Sequence, residues 1–188
     1  KIFSLPIIFI LCVSFITKLN AEETFIFNVT ELQITEEGNL FKGYNGGEAY
    51  TEDGVSIKAV NFEYSKATNI LIANQNVIFN DKNKNITITA DEILYEKNNE
   101  NIIATGNVSI SDKSQNINID ANKILYSKNE NKISAIDDVK YLDENKNIII
   151  TAGEITYFKN QQKLFAGSNV KLNDLNKNIK INTDEITY

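Results

Sequence analysis

The segment Ile86–Asp112 reads ITITADEILYEKNNENIIATGNVSISD, and the way its apolar positions alternate decides the fold class. In ITITA, Ile86, Ile88 and Ala90 share one face while Thr87 and Thr89 share the other, the period of two of a half-buried strand. After Asp91 and Glu92 the apolar positions move to Ile93 and Tyr95, so the parity flips. Such a flip requires a bulge or a corner, where the strand bends or passes to another sheet. The polar stretch KNNEN at 97–101 then supplies a turn. IIATGNVSISD resumes with Ile102, Ala104, Val108 and Ile110 in one parity and Gly106 between them, where a further bend is expected.

Working outward, this unit recurs every 31 residues. Tyr64, Tyr95, Tyr126, Tyr157 and Tyr188 keep that spacing without drift, as do Val55, Ile86, Ile117, Ile148 and Ile179 upstream of them. Ala73, Ala104, Ala135 and Ala166 stay in phase, followed by Val77, Val108, Val139 and Val170 and by the acids Asp81, Asp112, Asp143 and Asp174. A fixed period means stacked copies of one supersecondary unit that share a core. Each acid opens a turn closed by Asn85, Asn116, Asn147 or Asn178, and KNENK at 128–132 and KNQQK at 159–163 repeat the other turn. Several short strands per period, joined by tight polar loops, are expected. No stretch sustains a 3.6-residue pattern, so helix should be nearly absent beyond the N-terminal leader. From Glu22 to Gly54 the pattern loosens, and glycines 43, 46, 47 and 54 suggest bulges or close backbone approach in a divergent first copy.

Composition narrows the chemistry. The 188 residues contain no histidine, methionine, tryptophan or arginine, and the single cysteine is Cys12. Most catalytic and metal-binding repertoires are thereby removed. Residues 1–21 combine a basic start, an apolar run from Ile2 to Ile16 and a polar end, the pattern of a secretory signal peptide; a membrane anchor is the competing reading. Leu11 precedes Cys12 where lipoprotein processing needs a small residue, so Cys12 is read as part of the leader. Removal of the leader takes away Lys1 and Lys18, leaving 17 lysines against 25 acids, net −8. An exported, cysteine-free, acidic chain must be held by its core, and it is a poor match for nucleic acid, whose phosphates need clustered cations. The many Lys, Asn and Ile residues are the mark of an AT-rich genome, so individual asparagines carry no weight of their own.

Two all-β architectures fit the repeat: a β-helix of parallel coils, or a jelly roll of antiparallel strands folded into two facing slabs. Hairpin-like loops such as KNNEN favour the antiparallel solution. The expected fold is an elongated, open β-jelly roll occupying residues 22–188.

The A-D-E-x-x-Y core, Ala90, Asp91, Glu92 and Tyr95, and the A-x-G-N-V element, Ala104, Gly106, Asn107 and Val108, resemble the OstA-like repeats of the lipopolysaccharide-transport family. That family comprises LptA, LptC and the periplasmic N-terminal domain of LptD. INIDANKILY, IIITAGEITY and INTDEITY repeat the first half of the unit, and the likeness covers about Val55 to Tyr188. Lys123 in place of the acid, Gly153 in place of Asp, and the lack of a glycine matching Gly106 in other copies are departures. The resemblance implies a twisted jelly roll whose apolar groove holds lipid acyl chains and whose exposed edge strands join homologous jelly rolls end to end. It implies a periplasmic location, lipopolysaccharide as the ligand, and contact with the outer membrane if the chain is LptD-like. Groove-wall candidates are Ile86, Ile88 and Ala90 with Val108 in the first well-kept copy, Ile117, Ile119 and Val139 in the next, Ile148, Ile150 and Val170 in the third, and Ile179 and Ile181 in the last. The tyrosines are expected to anchor the sheet at its rim instead of touching lipid. The chain opens on Lys1 and stops at Tyr188 inside a copy, which leads us to expect a piece of a longer protein, the N-terminal part of an LptD-like assembly protein or an LptA-like bridge.

Three other readings were weighed. A structural or adhesive surface solenoid fits the repeat but not the motif. A carbohydrate-active enzyme using Asp91 and Glu92 is disfavoured because neighbours on a strand face opposite ways. Calcium on Asp81, Asp112, Asp143 and Asp174 competes with a plainer role, the acids caging the amides of their own turns. No cofactor, metal or catalytic residue is expected.

Overall fold

The computed structural model describes residues 25–188. The leader at 1–21 and its helix lie outside the described residues. Twelve strands form one antiparallel sheet: β1 (Ile26–Thr35), β2 (Leu40–Tyr50), β3 (Val55–Ala59), β4 (Asn61–Ser65), β5 (Ile70–Asp81), β6 (Ile86–Glu96), β7 (Asn101–Asp112), β8 (Ile117–Ser127), β9 (Lys132–Asp143), β10 (Ile148–Phe158), β11 (Lys163–Asp174) and β12 (Ile179–Thr187). Neighbours in sequence are neighbours in the sheet, except that β3 and β4 together occupy one place between β2 and β5. A parallel β-helix is thereby excluded, because every pairing is antiparallel.

The expectation of several short strands per period needs correction: from Ile86 to Asp174 each period contains two strands of eleven or twelve residues, each bent in the middle, and only the first period keeps short strands, β3 and β4. The parity flip marks that bend. In β6 the buried residues are Ile86, Ile88 and Ala90, then Ile93 and Tyr95, with Asp91 and Glu92 turned outward. In β7 they are Ile102 and Ala104, then Val108 and Ile110, with Thr105, Gly106 and Asn107 between. One strand thus places two residues where its partner places three, which is a β-bulge. The pairing of β7 with β8 jumps from Thr105↔Lys123 to Val108↔Ala121, and the same shift recurs from β5 to β12.

The extra residue is accommodated by two consecutive left-handed residues, Gln75/Asn76, Gly106/Asn107, Asp137/Asp138 and Ser168/Asn169, with φ from 48° to 76°. Gly, Asn and Asp tolerate this region best, which explains the small or polar residues at these positions. Stacked in line, the bulges crease the whole sheet, so that its two arms fold face to face. Rings from opposite arms meet: Phe79 and Tyr95 at 5.7 Å, Tyr141 and Tyr157 at 5.8 Å.

Departures from the repeat at this crease compensate one another. A Cβ on Gly106 would meet the Asp91 carboxylate at 2.4 Å, and a Cβ on Gly153 would meet Ser168 Cβ at 2.8 Å. An acid faces glycine in one copy, and glycine faces serine two copies later. Near the N-terminus, a Cβ on Gly47 would lie 2.4 Å from the Asn28 carbonyl oxygen, the close backbone approach expected of that glycine cluster.

Candidate functional site

Between the arms runs one apolar interior. Of the twelve groove-wall candidates, ten lie in it: Ile86, Ile88, Ala90, Val108, Ile117, Ile119, Val139, Ile148, Ile150 and Val170 are all buried. Ile179 and Ile181, on β12, differ in being 44% and 40% exposed, since β12 pairs only with β11 among the described residues. Thr87 and Thr89, which alternate with these isoleucines, face outward.

The repeated tyrosines sit deeper than a rim position. Tyr95 and Tyr126 are fully buried and Tyr157 nearly so, their rings filling the interior beside the isoleucines. Only the hydroxyl ends reach the edge, where Tyr64 Oη donates to Asn69 Oδ1 at 2.9 Å, Tyr95 Oη to Glu100 Oε1 at 3.1 Å, and Tyr157 Oη to Gln115. Burial raises the pKa of Tyr95, Tyr126 and Tyr141 well above the usual phenol range and that of Tyr157 to about 12, with the charges of Asp81, Asp112, Asp143 and Glu100 adding to the effect.

Opposite the crease, the free ends of the two arms come together along a polar seam. One rim carries the turns that begin at Asp81, Asp112, Asp143 and Asp174, and the other the turns that begin at Lys97, Lys128 and Lys159. The acids do cage their own turns: Oδ1 accepts from the Lys84, Ser114, Lys146 and Lys177 amides at 2.9–3.0 Å. Their second oxygens do something the sequence did not suggest. Lys128 Nζ lies 3.2 Å from Asp81 Oδ2 and 2.7 Å from Glu100 Oε2, and Lys159 Nζ lies 3.0 Å from Asp112 Oδ2. Asp81, Asp112, Lys128 and Lys159 are all more than nine-tenths buried. The two facing oxygens have the ammonium as counter-charge instead of an aligned hydrogen bond. Burial opposes the charge on Lys128, but its hydrogen bond to Glu100 and the charge of Asp81 outweigh burial and raise its pKa. Lys97, the third lysine of the row, is buried with its Nζ 5.6 Å from the Phe25 ring.

These lysines were missed because KNNEN, KNENK and KNQQK read as solvated turns. The available signal was phase: each lysine follows its tyrosine by two residues, in Tyr95–Lys97, Tyr126–Lys128 and Tyr157–Lys159. Asp91 and Glu92 both point outward at the crease, where Asp91 Oδ2 accepts from Asn107 Nδ2 at 2.8 Å. Among the described residues, no acid–base partner is grouped with them.

The chain superposes on LptH of Pseudomonas aeruginosa, the LptA-homologous periplasmic component of the lipopolysaccharide transport device, with a TM-score of 0.56. The fold is the Lpt-type β-jelly roll. Identity over the match is 18%, spanning 62% of this chain and 84% of that one, so it is the architecture and not the side chains that is shared. No family model and no curated protein sequence matches. The Lpt-type interior here is filled by its own side chains, Tyr95, Tyr126, Phe79, Ile88, Ile93 and Ile110 among the largest. At the N-terminal end Phe25, Phe27, Phe41, Phe62 and Tyr64 pack ring against ring at 5.1–6.2 Å.

Proposed function

We propose that this protein is a periplasmic component of lipopolysaccharide transport and outer-membrane assembly. It holds acyl chains between the two arms and joins homologous jelly rolls through its edge strands. It serves as the N-terminal periplasmic part of an LptD-like assembly protein or as an LptA-like bridge, and it performs no catalysis. The observation that carries this reading is the creased sheet itself. A single sheet folded on a line of bulges has one unbroken apolar interior and cannot close into a barrel, so it keeps two edges, β1 and β12. Acyl chains would bind there by burial of apolar surface, at about 25 cal/mol per Å², and strand edges are templates for pairing with a homologous sheet. The exposed Ile179 and Ile181 would be covered by such a partner strand.

The test places a photocrosslinking residue at Ile88, Ile119 or Ile150 and, separately, at Thr87 or Thr89. With lipopolysaccharide as the probe, capture is expected at the isoleucine positions and not at the threonines. Equal labelling of both sets refutes an interior lipid site.

A further inference from the structure

The interior must open to admit a lipid, and the structure shows where it is held shut. Backbone hydrogen bonds of the turns run along each rim, as from Lys113 N to Asn85 O and from Lys128 N to Glu100 O. Among the described residues, no backbone hydrogen bond crosses from one rim to the other. The seam is bridged by side chains: Lys128 to Asp81, Lys159 to Asp112, Lys84 Nζ to Asn131 Oδ1 at 3.3 Å, and Gln115 Nε2 to the Lys159 carbonyl oxygen at 3.2 Å. These bridges span 44 or 47 residues, the bond from Tyr157 Oη to Gln115 adds one of 42, and each ties one period to the next.

We propose that this lacing is a latch, and that acyl chains of an amphiphile enter sideways across the seam as the arms part about the crease. The inference rests on the lipid-holding reading above. Three observations favour the seam over the N-terminal end. At the N-terminal end five aromatic rings pack against one another and the core, whereas the seam is crossed by a handful of polar bridges. The crease opposite it carries a left-handed residue pair on every second strand, β5, β7, β9 and β11, a natural axis for rotation. The chemistry of the bridges also suits reversible opening. A seam of leucines would be about as stable as buried ion pairs, which repay little more than their own desolvation. Leucines, however, would lose their contacts to water on parting, while separated ammonium and carboxylate groups regain hydration. Charge pairs therefore hold the seam with a smaller penalty for opening it.

The experiment locks the seam. In a Cys12→Ser background, Lys84→Cys and Asn131→Cys are joined by a short bis-maleimide across the seam; Asn98→Cys and Asn129→Cys, joined by the same reagent on one rim, are the control. The readout is the rate at which purified lipopolysaccharide is captured by a photocrosslinker at Ile119, and the unjoined double-cysteine proteins, checked by circular dichroism, report any cost of the substitutions themselves. The seam lock is expected to slow capture about tenfold or more, as closure of a lid does, with the one-rim link changing it less than about twofold. In the uncrosslinked chain, Lys159→Met with Asp112→Asn, which removes a bridge without leaving a buried unpaired charge, is expected to speed capture. Unchanged capture in the seam-locked protein overturns the latch while leaving the lipid site standing. No capture in any variant, unlocked ones included, overturns both.

Discussion

Replacing Lys159 by methionine isolates the seam from everything around it. The ammonium sits 3.0 Å from Asp112 Oδ2, with the two side chains 7% and 1% exposed. At an effective dielectric constant of about 20 the attraction at that distance is roughly 5 kcal/mol, and it offsets desolvation costs of several kcal/mol for each ion. The pair as a whole therefore contributes little, but half of it is worse than none. Lys159→Met leaves Asp112 charged, buried and without its counter-ion, at an expected cost of about 3–5 kcal/mol. Adding Asp112→Asn removes the orphaned charge and keeps an oxygen for the Ser114 amide, which now donates to Oδ1 at 3.0 Å. The double variant should recover at least about 2 kcal/mol of the loss. Urea titration followed by far-ultraviolet circular dichroism measures all four corners of this cycle, and the comparison requires an unchanged m-value. A single-variant cost below about 1 kcal/mol, the range of exposed ion pairs, or a double variant no better than Lys159→Met, would show that water reaches the pair and that it laces nothing.

Four further outcomes are expected. Tyr126 Oη is buried with no hydrogen-bond partner among the described residues, so Tyr126→Phe should leave stability unchanged or raise it by about 1 kcal/mol, whereas Tyr95→Phe, which forfeits the bonds to Glu100 and Lys128, should lower it by about 1–2 kcal/mol; melting temperatures decide the sign. Gly153→Asp restores the repeat motif yet collides with Ser168, at about 1–3 kcal/mol, and Ser168→Gly in the same chain should rescue it by recreating the Asp91–Gly106 arrangement; absence of rescue in thermal melts refutes the packing argument. Ile88→Ala, at a fully buried position, should cost about 2–5 kcal/mol by denaturant titration. Stability should also fall above about pH 10: the buried phenols of Tyr95, Tyr126, Tyr141 and Tyr157 and the ammonium of Lys128 all have raised pKa values, so the unfolded chain releases protons first, and each such group steepens the loss by about 1.4 kcal/mol per pH unit. The tyrosinate absorbance contributed by these four buried phenols should rise together with unfolding and not before it.

Period-two alternation and a constant 31-residue phase were enough to place the strands, the turns and the bend, because burial on one face writes itself directly into residue type. What alternation cannot convey is whether a parity flip ends a strand or creases it. That depends on backbone hydrogen bonding across the flip, which here continues from Asp120↔Lys140 to Lys123↔Ile136 with a single residue to spare. Lys128 and Lys159 were illegible for a related reason. A lysine in an asparagine-rich turn is ordinarily solvated, and the carboxylate that buries it lies 47 residues away on the other rim. The asparagines also carried more than composition. Asn85, Asn116, Asn147 and Asn178 close their turns at φ of 54–56°, and Asn116 and Asn147 donate through their side chains to Asn145 and Asn176 one period on.

The charge balance acquires a different meaning in this light. A net-negative chain looks unsuited to an anionic glycolipid if all its lysines are taken to be surface groups. Lys97, Lys128 and Lys159 are instead drawn inward to one rim, and Asp81, Asp112, Asp143 and Asp174 to the other, so the most buried charges of the described chain form two facing rows along the line where the arms meet. Burial of a charge is costly wherever it occurs, and stability alone would be served as well by apolar residues. Such pairs at a boundary that no backbone hydrogen bond closes among the described residues, directly opposite a crease of left-handed residues, trade inert closure for closure that water can undo. The same sheet supplies wall, hinge and latch, and the repeat places one of each in every period between Asp81 and Lys159.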